Sequence, residues 1–194
     1  MLIPAVARLT HPFERRPRRR RRLLLGCLIA AAVLPLVLTA VSHPLNEDEP
    51  GGRSIVDFEL AGSVSEAEEV LAVWRAEDVV DDAKAIQIFD LVYPLIYAAA
   101  LAGACIAAAG AWRRAGRTGL AALGVAMAWV AFAAAGFDYV ENLGLDISLW
   151  DEPASPWPQI SLVAAVLKFA LSTAALLYAL SGLVARVLRA SAPA

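Results

Sequence analysis

The chain has 194 residues, 59% of them hydrophobic, and its mean hydropathy of +0.60 exceeds that of an ordinary soluble domain. The formal net charge of −2 conceals a strong segregation of sign along the sequence. The basic run at residues 15–22 has a composition compatible with a nucleic-acid partner, but it abuts an apolar span, so it reads as an orientation signal that also attracts anionic lipid, with no nucleic acid implied.

Residues 1–22 are expected to form a disordered basic cytoplasmic arm, with prolines at 4, 12 and 17. Four apolar stretches follow, near Leu23–Val41, Ile88–Ala111, Leu120–Tyr139 and Ile160–Ala185, each long enough to cross a hydrocarbon core about 30 Å thick. The fold class expected is all-α: a four-transmembrane-helix bundle occupying 23–189 as a single membrane domain, with an outer loop at 42–87 and a short tail at 190–194. The first apolar run is too long for a signal-peptide core, and no small-residue cleavage site follows it, so it reads as an uncleaved anchor.

Arginine sets the orientation. Arg15, Arg16 and Arg18 to Arg22 precede span one, Arg113, Arg114 and Arg117 fill the second turn, and Arg186 and Arg189 follow span four. The connection between spans one and two carries twelve Asp or Glu against Arg53, Arg75 and Lys84. By the positive-inside rule both termini are cytoplasmic and both acidic loops lie outside, in a cell inner membrane. Trp112 is expected at the inner interface, and Trp74, Trp150 and Trp157 at the outer one.

Within the first outer loop, Ser63-x-x-Glu66 has the pattern of a capping box, and Ala67, Val70, Leu71 and Trp74 recur at helical spacing. These predict a short amphipathic helix lying on the membrane surface or capping the bundle. A second stripe, Ala76, Val79, Val80 and Ala83, is expected to run into span two. Small residues at four-residue spacing (Ala99, Gly103 and Ala107; Gly124 and Ala128; Ala131 and Ala135; Ala170 and Ala174) mark candidate close-packing faces.

The chemistry-bearing residues converge on one depth. Asp90 stands 23 residues before Arg113, Asp138 stands 21 after Arg117, and Lys168 stands 18 before Arg186. At about 1.5 Å per residue all three lie roughly 27–35 Å from the inner boundary. Glu141 and Asn142 share a helix face with Asp138, while Tyr93 and Tyr97 share one with Asp90. Ionisable groups near hydrocarbon must pair or face water, so Asp90, Tyr93, Tyr97, Asp138, Glu141, Asn142 and Lys168 form a predicted ligand or ion-pair layer near the outer face. Were the layer catalytic, Asp138 and Glu141 would divide the acid and base roles, with Lys168 as electrostatic partner. His43 with Asp90, Asp138 and Glu141 offers metal-ligand types without any paired-histidine spacing, so neither a metal nor another cofactor is predicted. Cys27 and Cys105 read as small apolar packing residues.

The succession Asp57-Phe58-Glu59-Leu60-Ala61-Gly62-Ser63, Phe89-Asp90-Leu91-Val92-Tyr93-Pro94-Leu95-Ile96-Tyr97, Asp138-Tyr139-Val140-Glu141-Asn142 and Lys168-Phe169 resembles a family of small, functionally uncharacterised bacterial integral membrane proteins with four spans. The resemblance covers residues 54–180. It implies the architecture and a bacterial membrane, and brings no chemistry with it.

Three functions are compatible with this reading. The first is a non-enzymatic interaction or small-ligand-binding bundle ordered by its charge layer, with the bilayer, a second copy or another membrane protein as partner. The second is an enzyme acting on a lipid or envelope precursor at the outer leaflet. The third is a small transporter subunit, disfavoured because the inner halves of the spans offer almost no polar route. A sealed, paired layer would favour the first, and a cavity opening on the layer the second.

Overall fold

The computed structural model describes residues 10–14, 29 and 52–190, the last four of them as backbone. Among the described residues there are six α-helices and no strand: α1 (Ile55–Glu59), α2 (Val64–Ala76), α3 (Val80–Asp90), α4 (Tyr93–Arg114), α5 (Thr118–Trp150) and α6 (Trp157–Ala190). A 3-10 turn covers Pro12–Glu14. Three helices, α4, α5 and α6 to Arg186, are long and apolar enough to cross a membrane. The expected first span, Leu23–Val41, and His43 and Cys27 lie outside the described residues, Ile29 apart.

The described residues fall into two compact units, one built from 95–135 and 169–190 with 10–14, the other from 52–94 and 136–168. The first is packed through small residues. Ala102, Cys105, Ala108, Ala128, Ala131, Ala175 and Ala185 are buried together with Ile106, Val125, Trp112 and Tyr178. A Cβ on Gly182 would stand 2.7 Å from the Ala108 Cβ, and one on Gly124 would stand 2.7 Å from the Ala109 Cβ and run into the Tyr178 ring. Backbones therefore approach to distances that any larger residue would forbid. The polar tips of the aromatics are satisfied locally: Trp112 Nε1 donates to Ser181 Oγ at 3.0 Å, and the Tyr178 hydroxyl donates to the Leu120 carbonyl at 2.8 Å. α4 ends in a Schellman turn, with Arg117 N bonding Trp112 O and Gly116 N bonding Arg113 O. Gly116 takes the left-handed conformation that turn requires, at φ 74°.

The alanine faces differ from the sequence expectation. Gly124, Ala128, Ala131 and Ala135 are buried as expected, but Ala107, Ala170 and Ala174 are exposed. On α4 the buried row passes instead through Ala98, Ala102, Cys105 and Ala109.

The second unit is built around large side chains. Ser54 caps α1 with a complete capping box, accepting from Asp57 N while Asp57 Oδ2 accepts from Ser54 N. Ser63 caps α2 by accepting from Glu66 N; Glu66 reaches past Ser63 to accept from Gly62 N at 2.8 Å, so the box is displaced by one residue. The predicted stripe Ala67, Val70, Leu71 and Trp74 is buried against Phe58, Leu145 and Leu149. Trp74 is the correction here. It is 0% exposed, packs on Phe58 with ring centroids 5.2 Å apart, and donates Nε1 to the Arg53 carbonyl at 2.8 Å, so it anchors a protein core and presents no face to lipid.

α2 does not continue along the second stripe. It stops at Ala76, where Asp78 adopts φ 59° and Val79 N closes a Schellman turn on Trp74 O. The helix expected from Ile88 also begins later, at Tyr93, because Pro94 has no N–H to donate to the Asp90 carbonyl. The chain breaks between α3 and α4, and α5 completes the bonding: Asn142 Nδ2 donates to Asp90 O at 3.4 Å, and the Tyr139 hydroxyl donates to Leu91 O at 2.9 Å.

Candidate functional site: a lysine among three carboxylates

α5 runs unbroken to Trp150, well past Tyr139, and so carries Asp138, Glu141 and Asn142 on one buried face. α6 supplies Lys168. The lysine Nζ lies 2.8 Å from Glu141 Oε1 and 2.8 Å from Oε2, 3.5 Å from Asp138 Oδ1 and 3.6 Å from Glu59 Oε2. Relative exposures are 0% for Glu141, 3% for Asp138, 8% for Lys168 and 9% for Glu59. The cluster is largely withdrawn from bulk solvent.

Glu59, the last residue of α1, is missing from the sequence-derived layer. It is one of twelve acidic residues in its loop, and acidity alone gives no reason to select it. The usable signal is Ser54-x-x-Asp57, which starts a one-turn helix; within it Phe58 and Glu59 are buried while Val56 and Leu60 are exposed.

The other predicted members take different positions. Asn142 serves the carbonyl that Pro94 leaves free, a backbone-satisfying role. The Asp90 carboxyl is pushed up to about 6, chiefly by burial and then by repulsion from Asp138 and Glu59; Lys168 and an Asn142 hydrogen bond oppose the rise. Glu59 is raised as well, chiefly by burial, against the pull of Lys168. Tyr93 opens α4 beside this break, and Tyr97 falls in the alanine-packed unit.

Charge arithmetic decides what the cluster can do. Among the described residues three carboxylates contact the Lys168 ammonium, in a space largely withdrawn from solvent. Each uncompensated buried ion costs several kcal/mol, so the lysine and the acids it contacts depend on one another. Removing the lysine would take from three acids the ammonium they contact, whereas removing one acid would leave two still paired with it. The arrangement therefore ties α1, α5 and α6 together. Around Glu141, Ser161 Oγ donates to the Glu141 carbonyl at 3.2 Å, and Gly144 leaves room for the Ser161 hydroxyl. Among the described residues no group of three or more His, Cys, Asp or Glu is arranged to hold a metal ion.

In the same unit a cleft of about 320 Å³ is lined by Gln87, Ile88, Leu91, Asp146, Ile147, Trp150 and Asp151. None of the four clustered ionisable residues lines it. A scan of protein-family models, a search of curated proteins and a search of solved structures each returned no match to this chain.

Proposed function

We propose that the chain is a four-span protein of a bacterial inner membrane, both termini cytoplasmic, acting as a non-enzymatic interaction or small-ligand-binding bundle whose lysine–carboxylate cluster is a structural lock. The observation that carries this reading is the closure of the cluster. Glu141 and Asp138, the pair that would divide acid and base roles, both contact Lys168 and open on no described cavity. A general acid or base has to reach the proton it transfers, directly or through one water. The positive-inside distribution of arginine supports the orientation, and the basic arm is the segment suited to anionic lipid. The resemblance to bacterial four-span proteins supports the same placement.

A double-mutant cycle in detergent micelles tests the lock. Lys168→Met should lower unfolding stability strongly, whereas Glu141→Gln, which leaves two acids on the lysine, should lower it by no more than about 1 kcal/mol. The double mutant should lose less than the two singles summed, with a coupling of about 0.5–3 kcal/mol. Additive losses would mean that the two side chains do not stabilise the fold as a pair. An unchanged or raised stability in both single mutants would count for the enzyme reading, because it would mean the charges are retained against a stability cost.

A further inference from the structure

The Pro12–Glu14 turn belongs to the N-terminal arm of the sequence, yet it is held against the alanine-packed unit. Three contacts fix it. Trp129 Nε1 on α5 donates to the Thr10 carbonyl at 3.2 Å, Phe13 packs on that unit's core, and Arg113 on α4 donates to Glu14 Oε1 at 3.4 Å. Between them His11 is 2% exposed, its ring centroid 4.8 Å from that of Trp129, 4.9 Å from that of Phe13 and 5.9 Å from that of Phe132.

His11 also starts the turn. Pro12 presets the backbone of the first position and has no N–H to satisfy. The Phe13 N–H donates to His11 Nδ1 at 3.3 Å, and the His11 N–H donates to Glu14 Oε2 at 3.2 Å. This is the reciprocal pattern of a capping box, with an imidazole where Ser, Thr, Asp or Asn ordinarily stands. Imidazole differs from those acceptors in changing its charge between about pH 5 and 8. Nδ1 accepts only when it carries no proton, so the docked turn holds the neutral ring. A proton on Nδ1 would set one N–H against another and place a charge in a site nearly closed to water.

The charges around the ring, among the described residues, do not reverse that sign. Its own turn brings Glu14, whose carboxylate is already matched by Arg113 from α4 and by the His11 N–H. From α5 come Trp129 and Phe132, neither of which titrates. Aromatic faces attract a cation, but the cap acceptor is lost whatever the rings contribute.

We propose that His11 is a proton-operated latch: neutral, it caps the turn and holds residues 10–14 against α5; protonated, it releases them together with the adjoining basic run at 15–22. The docked form binds one proton fewer than the released form, so acid lowers the docked-to-released ratio by up to about tenfold per pH unit. The latch lies apart from the Lys168 cluster and does not depend on its role.

The test is continuous-wave electron paramagnetic resonance of the full chain in detergent micelles, with a nitroxide on Thr10→Cys in a Cys27→Ala, Cys105→Ala background. Thr10 is exposed, so the label leaves the turn in place. A slow component should dominate the spectrum at pH 8 and a fast one at pH 5. His11→Asn keeps an uncharged acceptor at the cap and should stay slow at both pH values. His11→Ala removes the acceptor and should be fast at both. A chain with His11 intact that is equally slow at pH 8 and pH 5 would overturn the proposal, as would a pH response that persists in His11→Asn or an His11→Ala spectrum that is slow at pH 8.

Discussion

In the unit built from residues 95–135 and 169–190, helices meet through alanine and glycine; in the unit built from 52–94 and 136–168, they meet through Phe58, Trp74 and a shared charge. The first gains its contacts by bringing backbones close, with Gly182 against Ala108 and Gly124 against Ala109. The second fills space with aromatic volume and then closes a polar cluster around Lys168. The difference teaches that an alanine-rich composition sets the style of packing without setting its specificity. Small residues permit many registers. A lysine that must reach Glu141, Asp138 and Glu59 together permits few.

That contrast can be broken by substitution. The largest effect outside the cluster is expected from Trp74→Ala, which empties a fully buried aromatic site and leaves the Arg53 carbonyl without its indole donor. A loss of about 3–5 kcal/mol in reversible unfolding is predicted. A loss below about 1 kcal/mol would show that large-volume packing is not what holds this unit. Gly182→Val should cost about 1–3 kcal/mol through its collision with Ala108, measured the same way.

The pH dependence sharpens the electrostatic half of the comparison. The Asp90 carboxyl rises from 3.8 to about 6 on folding, so its contribution to stability is complete below about 3.8 and is lost as pH climbs through about 6. Asp90→Asn removes that loss. The variant should match the wild type near pH 4 and exceed it at pH 7.5 by about 1–2 kcal/mol, the shift being discounted for partial exposure. A constant difference across that range, read from thermal melts, would refute the assignment. The smallest effect belongs to Gly136→Ala, where an added Cβ meets nothing within 4 Å; a gain of up to about 1 kcal/mol is expected from helix propensity.

Much of this arrangement was legible beforehand, and the parts that were not have physical reasons. Asp138, Glu141 and Lys168 stand out because ionisable side chains in apolar helices must find one another, and they do. The stripe from Ala67 to Trp74 was readable from its period, but period alone does not say whether the apolar face meets lipid or protein. Trp74 therefore passed for an interface marker. Glu59 was hidden among acids, in a helix too short for any period to show. Ala170 and Ala174 satisfied the same spacing rule as Ala131 and Ala135; when alanine is everywhere, spacing cannot tell a buried face from an exposed one. The break before Tyr93 was announced by Pro94, whose consequence at the Asp90 carbonyl needed Asn142 in space to be seen.

Lys168 is the buried cation that Glu59, Asp138 and Glu141 all contact, and the fold depends on it most where those acids are charged. The most direct test is the unfolding free energy of Lys168→Met in detergent at pH 7.5 and pH 5, beside Asp138→Asn and Glu59→Gln. A loss of about 3–5 kcal/mol is expected for Lys168→Met at pH 7.5. Part of it should return at pH 5 as the acids take up protons, and each acid-to-amide change should stay within about 1 kcal/mol of wild type. A Lys168→Met protein as stable as wild type at pH 7.5, or one whose deficit is the same at both pH values, would contradict it.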